Sequence, residues 1–140
     1  MAPSANVLAA PIVAGLGSPP LAAPGTSLVV REWTEPGPHY LHVHRSDDEA
    51  WHVLEGALRF RFADGEAEAP AGTTVFVPAG VAHTYLVSSE PCRYLIALTP
   101  NLDRLIAKLK DLRDEARIPA TLAEHDTVQF DQAHAPDPDR

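Results

Sequence analysis

Between residues 27 and 98 the chain is cut into short segments rich in β-branched and aromatic residues. SLVVREWT runs into PGP, YLHVH into RSDD, EAWHVLE into Gly56, ALRFRF into ADGE, TTVFV into PAG and AHTYLV into SSEP, and CRYLIAL closes the series. Strands of this length, at regular spacing and bounded by turn residues, predict an all-β sandwich or small barrel. The 14 prolines and 8 glycines recur along the chain and exclude long helices from most of it. With 140 residues there is room for one core.

The segments differ in how they meet water. ALRFRF alternates strictly, with Leu58, Phe60 and Phe62 on one face and Arg59 and Arg61 on the other. In YLHVH, Tyr40, His42 and His44 share one face and Leu41 and Val43 the opposite one. After residue 98 the period changes. Thr99 suits a helix cap, Pro100 suits the first turn, and Leu102, Leu105, Ile106, Leu109 and Leu112 form one apolar stripe. This predicts a C-terminal amphipathic α-helix over 99–118 that packs one face on the barrel. The flanks are a Pro/Ala-rich arm over 1–25, with a short strand at 11–14, and a polar tail over 119–140. The tail is expected to carry a weak helix at 121–124 and a mobile end, with the barrel itself spanning 26–98.

Charge and cysteine usage narrow the function. Eleven Lys and Arg against 19 Asp and Glu leave a net charge of −8, with no basic cluster to offset it, so nucleic acid is not an expected partner. The single cysteine, Cys92, excludes an intramolecular disulfide and reads as a buried structural thiol in CRYLIAL. The apolar start lacks a basic leader region and is broken by prolines, and no stretch approaches the roughly 18 apolar residues of a membrane span. The expectation is a soluble, cytoplasmic protein without a membrane partner.

Chemistry concentrates in YLHVHRSDDE. Residues i and i+2 of a strand face the same side, so His42 and His44 project together. A pair alone fits an ordinary polar strand face as readily as a metal site. Glu49 follows after RSDD, read as a turn that carries the carboxylate back beside the histidines on an adjacent antiparallel strand. His83, after PAG, is a fourth candidate. Three imidazoles and a carboxylate form a borderline N/O set suited to divalent transition metals, with coordination positions left open for water, substrate oxygen or dioxygen. Metal affinity should fall below about pH 6 as protons compete for imidazole.

The spacings resemble the cupin superfamily, whose motifs are commonly written G-x5-H-x-H-x3,4-E-x6-G and G-x5-P-x-G-x2-H-x3-N. Here His42, His44, Glu49 and Gly56, then Gly72, Pro78, Gly80 and His83, stand at matching distances. Two positions depart. Gly37 lies four rather than five residues before His42, and Val87 occupies the place of the final Asn, which puts chemistry relying on that amide in doubt. Over residues 26–112 the chain is similar to small single-domain cupins of the quercetin dioxygenase-like kind. That resemblance implies a jelly-roll β-barrel (double-stranded β-helix) and one divalent ion (Fe, Mn, Ni, Cu, Co or Zn) held by His42, His44, Glu49 and His83. It also implies a homodimer.

Strand parity places Trp51 with Glu49, Tyr85 and Val87 with His83, and Tyr40 with the histidine pair. Together with Phe60 these are the expected lining of a substrate pocket, although for Trp51 and Tyr85 ordinary core packing is equally open. His39 and the pair Asp47 and Asp48 read as turn residues, His52 as a surface residue, and His125 and His134 as part of the tail. The function expected is a metal-dependent, dioxygenase-like oxidoreductase acting on a small aromatic or enol-type substrate, with Glu49 also available as a base. The alternatives are a metal-dependent isomerase or lyase on a sugar or keto acid, disfavoured by the apolar Leu58, Phe60, Val75, Val77 and Val87, and a non-enzymatic metal or small-ligand binding protein.

Overall fold

The computed structural model describes residues 10–15 and 17–130. Its elements are β1 (Ala22–Pro24), β2 (Val29–Trp33), β3 (His42–His44), β4 (Glu49–Phe62), β5 (Gly65–Pro70), β6 (Thr74–Val77), β7 (His83–Leu98), α1 (Pro100–Asp111), a 3-10 turn (Glu115–Arg117), α2 (Ile118–Ala123) and β8 (Thr127–Gln129).

Four of the expected strands are fused into two long ones. β4 continues through Gly56 and β7 through the SSEP segment. The two run antiparallel along their length, from Ala50 opposite Ala97 to Phe62 opposite His83, with register shifts between Val53 and Leu58. Gly56, at φ +73°, makes that irregularity. A bulge bends a strand without ending it, so the two halves serve different sheets. The early half of β4 and the late half of β7 build β1-β2-β7-β4-β6, in which β7 meets β2 and β4 meets β6. The late half of β4 and the early half of β7 build β8-β3-β7-β4-β5. This is the jelly roll expected from the sequence. Its core draws on both sheets, with Val53, Leu58, Phe60, Tyr94, Ile96 and Leu98 fully buried.

The flanks differ from expectation. Residues 11–15 carry no strand; the first ladder forms at Ala22–Pro24, where the chain folds back over Gly25, whose N–H donates to the Leu28 carbonyl at 2.8 Å. α1 starts at the Thr99 cap and stops at Asp111, short of residue 118. The segment read as a tail contains α2 and β8, with Thr121, Leu122, His125 and Thr127 buried. α2 is the weak helix expected at 121–124, starting three residues earlier at Ile118 and ending at Ala123. β8 was not expected, since a three-residue strand is too short for periodicity to reveal and its stability comes from docking. The end expected to be mobile, with His134, lies outside the described residues. Among the described residues, no helix is long and apolar enough to cross a membrane.

Candidate metal centre

Pairing of β3 with β7 sets His42 directly opposite His83, and the two-residue period of β3 puts His44 on the same face. Glu49 arrives differently from expectation. β4 pairs with β5, β6 and β7, not with β3, so RSDD is a link between the two sheets and Glu49 reaches the histidines across the barrel interior. Within that link Arg45, Ser46 and Asp48 are exposed, as a solvated turn would be, but Asp47 is not. Asp47 is buried, accepting hydrogen bonds from the Thr99 hydroxyl (2.8 Å) and Asn101 Nδ2 (2.9 Å), while Asp48 Oδ1 accepts from the Ala79 N–H (2.8 Å). One acid fastens the link to the start of α1, the other to the turn before His83.

One donor atom from each of His42, His44, Glu49 and His83 lies within 4.8 Å of every other, and all four residues are buried. His83 Nδ1 lies 2.9 Å from the Val81 carbonyl, which only accepts, so Nδ1 carries the proton. His44 Nδ1 meets the Thr127 hydroxyl at 2.8 Å, and His42 turns Nδ1 toward the Tyr40 carbonyl at 3.5 Å. The Nε2 atoms of His44 and His83 each sit 2.8 Å from Glu49 Oε1. A lone pair facing a carboxylate at that distance requires a cation between them, either a second proton on the ring or a metal ion. The donor chemistry therefore fits a divalent transition metal, and the oxygen partners at Nδ1 are what orients imidazole ligands in metal sites.

Burial acts oppositely on the two kinds of group. It pushes His42 down to about 3, helped by the charges of His83 and His44 and partly offset by Glu49. Burial alone would raise Glu49, but hydrogen bonds to His44 and His83 outweigh it and hold the carboxyl at about 2. Unfolded His42 takes up a proton near 6.5, which the folded chain refuses until about 3, so its contribution to stability is complete above 6.5 and is lost as pH falls toward 3. Glu49, depressed from 4.5, adds a second loss between 4.5 and about 2. Metal-stripped protein should thus lose about 1.4 kcal/mol from His42 alone at pH 5.5. That corresponds to a Tm lower by about 3–5 °C than at neutral pH. Thermal melts followed by circular dichroism from pH 7.5 to 4.5 test this, and a flat or rising Tm over that range opposes it.

A cavity of about 400 Å³ opens onto His42, His44 and Glu49 and includes Tyr40, Trp51 and Tyr85 in its wall. Two residues expected there are elsewhere. Phe60 is wholly buried in the core, packed against Trp51 and Tyr85, and Val87 is half-buried against the core. Parity alone does not distinguish the mouth of a barrel from its floor. Tyr85 is held by burial at about 12 and stays a phenol; its hydroxyl meets that of Tyr94 at 2.9 Å, and Tyr94 in turn donates to the Glu35 carbonyl. Gly37 N–H donates to the Tyr85 carbonyl at 3.0 Å, which seats the loop before β3 against the cavity.

The rest of the wall was missed in the sequence. Leu105, Ile106 and Leu109 of α1 and Ile118 and Leu122 around α2 close the cavity, so the stripe read as packing on the barrel also forms the roof of the site. Ile106 and Leu109 remain only half-buried, and the length of the stripe was the available signal. Arg31 Nε and Nη2 bond both carboxylate oxygens of Asp103, at 2.7 and 2.9 Å, and tie α1 to β2. Lys110 lies 4.7 Å over the Trp33 ring and 3.6 Å from Glu35 where the roof meets solvent. His39 is exposed at the cavity edge and outside the donor cluster. His52 meets the Thr74 hydroxyl of β6 at 2.7 Å. Cys92 is a buried free thiol.

The Cupin_2 family, described as a cupin domain, matches residues 24–98. None of the curated proteins is significantly similar to the chain. Among solved structures, a cupin protein from Bacteroides fragilis is similar with TM-score 0.51 and 15% identity, over 64% of this chain and 82% of its own. The nucleoside dehydratase Pac13 gives TM-score 0.50 and 15% identity, over 79% and 77%. KdgF from Halomonas sp. gives 0.48 and 16%, over 56% and 73%. At these identities the likeness is one of fold.

Proposed function

This chain belongs to the cupin family, and from that premise we propose that it is a metal-dependent oxidoreductase of the dioxygenase kind, acting on a small aromatic or enol-type molecule. The observation that carries the proposal is a cavity lined by three members of the four-donor cluster, His42, His44 and Glu49, whose remaining side chains, apart from Glu35, His39, Lys110 and Glu115, are aromatic, aliphatic or proline. A sugar or keto acid would need several convergent polar groups to replace its water. Trp33, Tyr40, Trp51, Leu105 and Leu109 instead favour a flat apolar body.

His42, His44, Glu49 and His83 would hold the ion, which supplies Lewis acidity and a place where an ionised substrate oxygen and dioxygen can meet. The remaining work belongs to the protein. Trp51 and Tyr85, packed edge-on with ring centroids 5.3 Å apart and otherwise buried in the core, make the aromatic floor of the cavity beside the donors. The apolar side chains of α1 and α2 cover one side of the cavity and reduce its contact with water. Glu49, held at about 2, is a ligand first, because a carboxylate that acidic is a weak base at neutral pH. It becomes a useful base only on leaving its two histidine partners.

Aerobic and anaerobic turnover of a panel of flavonols and β-diketones, on protein loaded in turn with Fe, Mn, Co, Ni and Cu, tests the proposal. Consumption of at least one panel member with matching oxygen uptake is expected. Turnover that proceeds equally well without oxygen would count against a dioxygenase and in favour of isomerase or lyase chemistry.

A further inference from the structure

We propose that Thr127, beyond residue 98 where the family match ends, is the positioning residue of His44 and makes metal affinity depend on the docked C-terminal segment. The inference rests on the metal-centre reading above. Thr127 Oγ1 lies 3.1 Å from the His125 carbonyl, an acceptor only, which commits the hydroxyl proton to that bond. The hydroxyl oxygen, 2.8 Å from His44 Nδ1, can then only accept. It holds the imidazole in the Nδ1–H tautomer, and the Nε2 lone pair is left facing Glu49. Thr127 is 1% and His44 6% exposed, so water does not substitute for the hydroxyl.

The hydroxyl is itself fixed by a chain of bonds reaching to the cap of α1. The His125 carbonyl also accepts from Asn101 Nδ2 (3.0 Å), and His125 Nδ1 donates to Asn101 Oδ1 (2.8 Å). The same Asn101 Nδ2 donates to Asp47, which also accepts from the Thr99 cap. Asp126, at φ +54°, turns the chain into β8; its carbonyl accepts from the Arg45 N–H at 2.9 Å and its carboxylate from the Ser46 hydroxyl. The β3–β8 register then sets Thr127 directly opposite His44. A left-handed aspartate held from both sides gives Thr127 little freedom to move.

The test is a Co2+ titration of the full chain after chelator treatment, followed by visible absorption, with urea unfolding of each variant in parallel. Thr127→Val keeps the shape and removes the acceptor; Kd for Co2+ should rise about 10- to 100-fold, as for lost partners of metal-binding imidazoles. Thr127→Ser should stay close to wild type. Thr121→Val, which removes a buried hydroxyl from the same segment where it donates to the Arg117 carbonyl, should leave Kd unchanged. If Thr127→Val does not fold, Thr127→Ala against Thr127→Ser makes the same comparison, since those two differ by the hydroxyl alone. A folded Val or Ala variant with wild-type Kd overturns the role of Thr127, as does a Ser variant as weak as Val or Ala. Wild-type protein that binds no Co2+ overturns the metal centre itself.

Discussion

His83→Ala is expected to lower divalent-metal affinity by more than about a hundredfold, beyond the usual effect of losing a ligand's supporting hydrogen bond. His83 is 1% exposed, stands opposite His42 across β3 and β7, and brings Nε2 to 2.8 Å from the same Glu49 oxygen that meets His44. Without it only three donors remain. The barrel should survive, because alanine is tolerated within a long paired strand and the substitution also removes a buried polar group that needs a cation. Elemental analysis of protein purified without added metal measures the first effect, and far-ultraviolet circular dichroism the second. Metal content unchanged in the His42→Ala/His83→Ala double variant would remove these residues from the site.

The second large effect concerns stability and is expected at Gly56→Ala. A Cβ built there would lie 2.3 Å from the Pro91 carbonyl oxygen, 2.4 Å from that of Ser89 and 2.9 Å from Cys92 Cα. All three belong to the backbone of β7 and cannot swing aside. The left-handed conformation adds roughly 1–2 kcal/mol for any residue with a Cβ. Together these should cost about 3 kcal/mol or more, in the range reserved for strain at special backbone positions. Gly72→Ala separates the two contributions, since Gly72 has φ +89° with nothing within 4 Å of its Cβ and should show only the conformational part. Urea unfolding of both variants measures the difference. Equal losses at the two glycines would mean that β7 yields at the bulge and that close approach to β7 is not what requires glycine at residue 56.

The two predictions rest on features that the sequence displayed unequally. His42, His44 and Glu49 lie within eight residues of one another, and the parity of a strand is local, so the histidine pair could be read directly. Gly56 was visible as punctuation, but its meaning changed: it bends β4 instead of ending it, because the backbone of β7 lies against it. Asp47 looked like part of a solvated turn and is buried, since its partners Thr99 and Asn101 follow some fifty residues later. The chain around His125 and Thr127 carries no period and reads as tail. It nevertheless forms an edge strand beside the ligand strand.

By itself the sequence determined the β architecture and the helix after residue 99, carried by spacings that repeat over two, three or four residues, while resemblance to the cupin motifs singled out His42, His44, Glu49 and His83, which the fold gathers into one buried cluster. Only the tertiary structure decided how Glu49 reaches the histidines, which helices roof the cavity, and which hydroxyl meets His44 Nδ1. Those contacts join residues from five to more than eighty positions apart, and the pairing of two sheets and the docking of a short segment select them. No local pattern records a partner brought near by the closure of a barrel, because its free energy comes from burial shared across the whole fold.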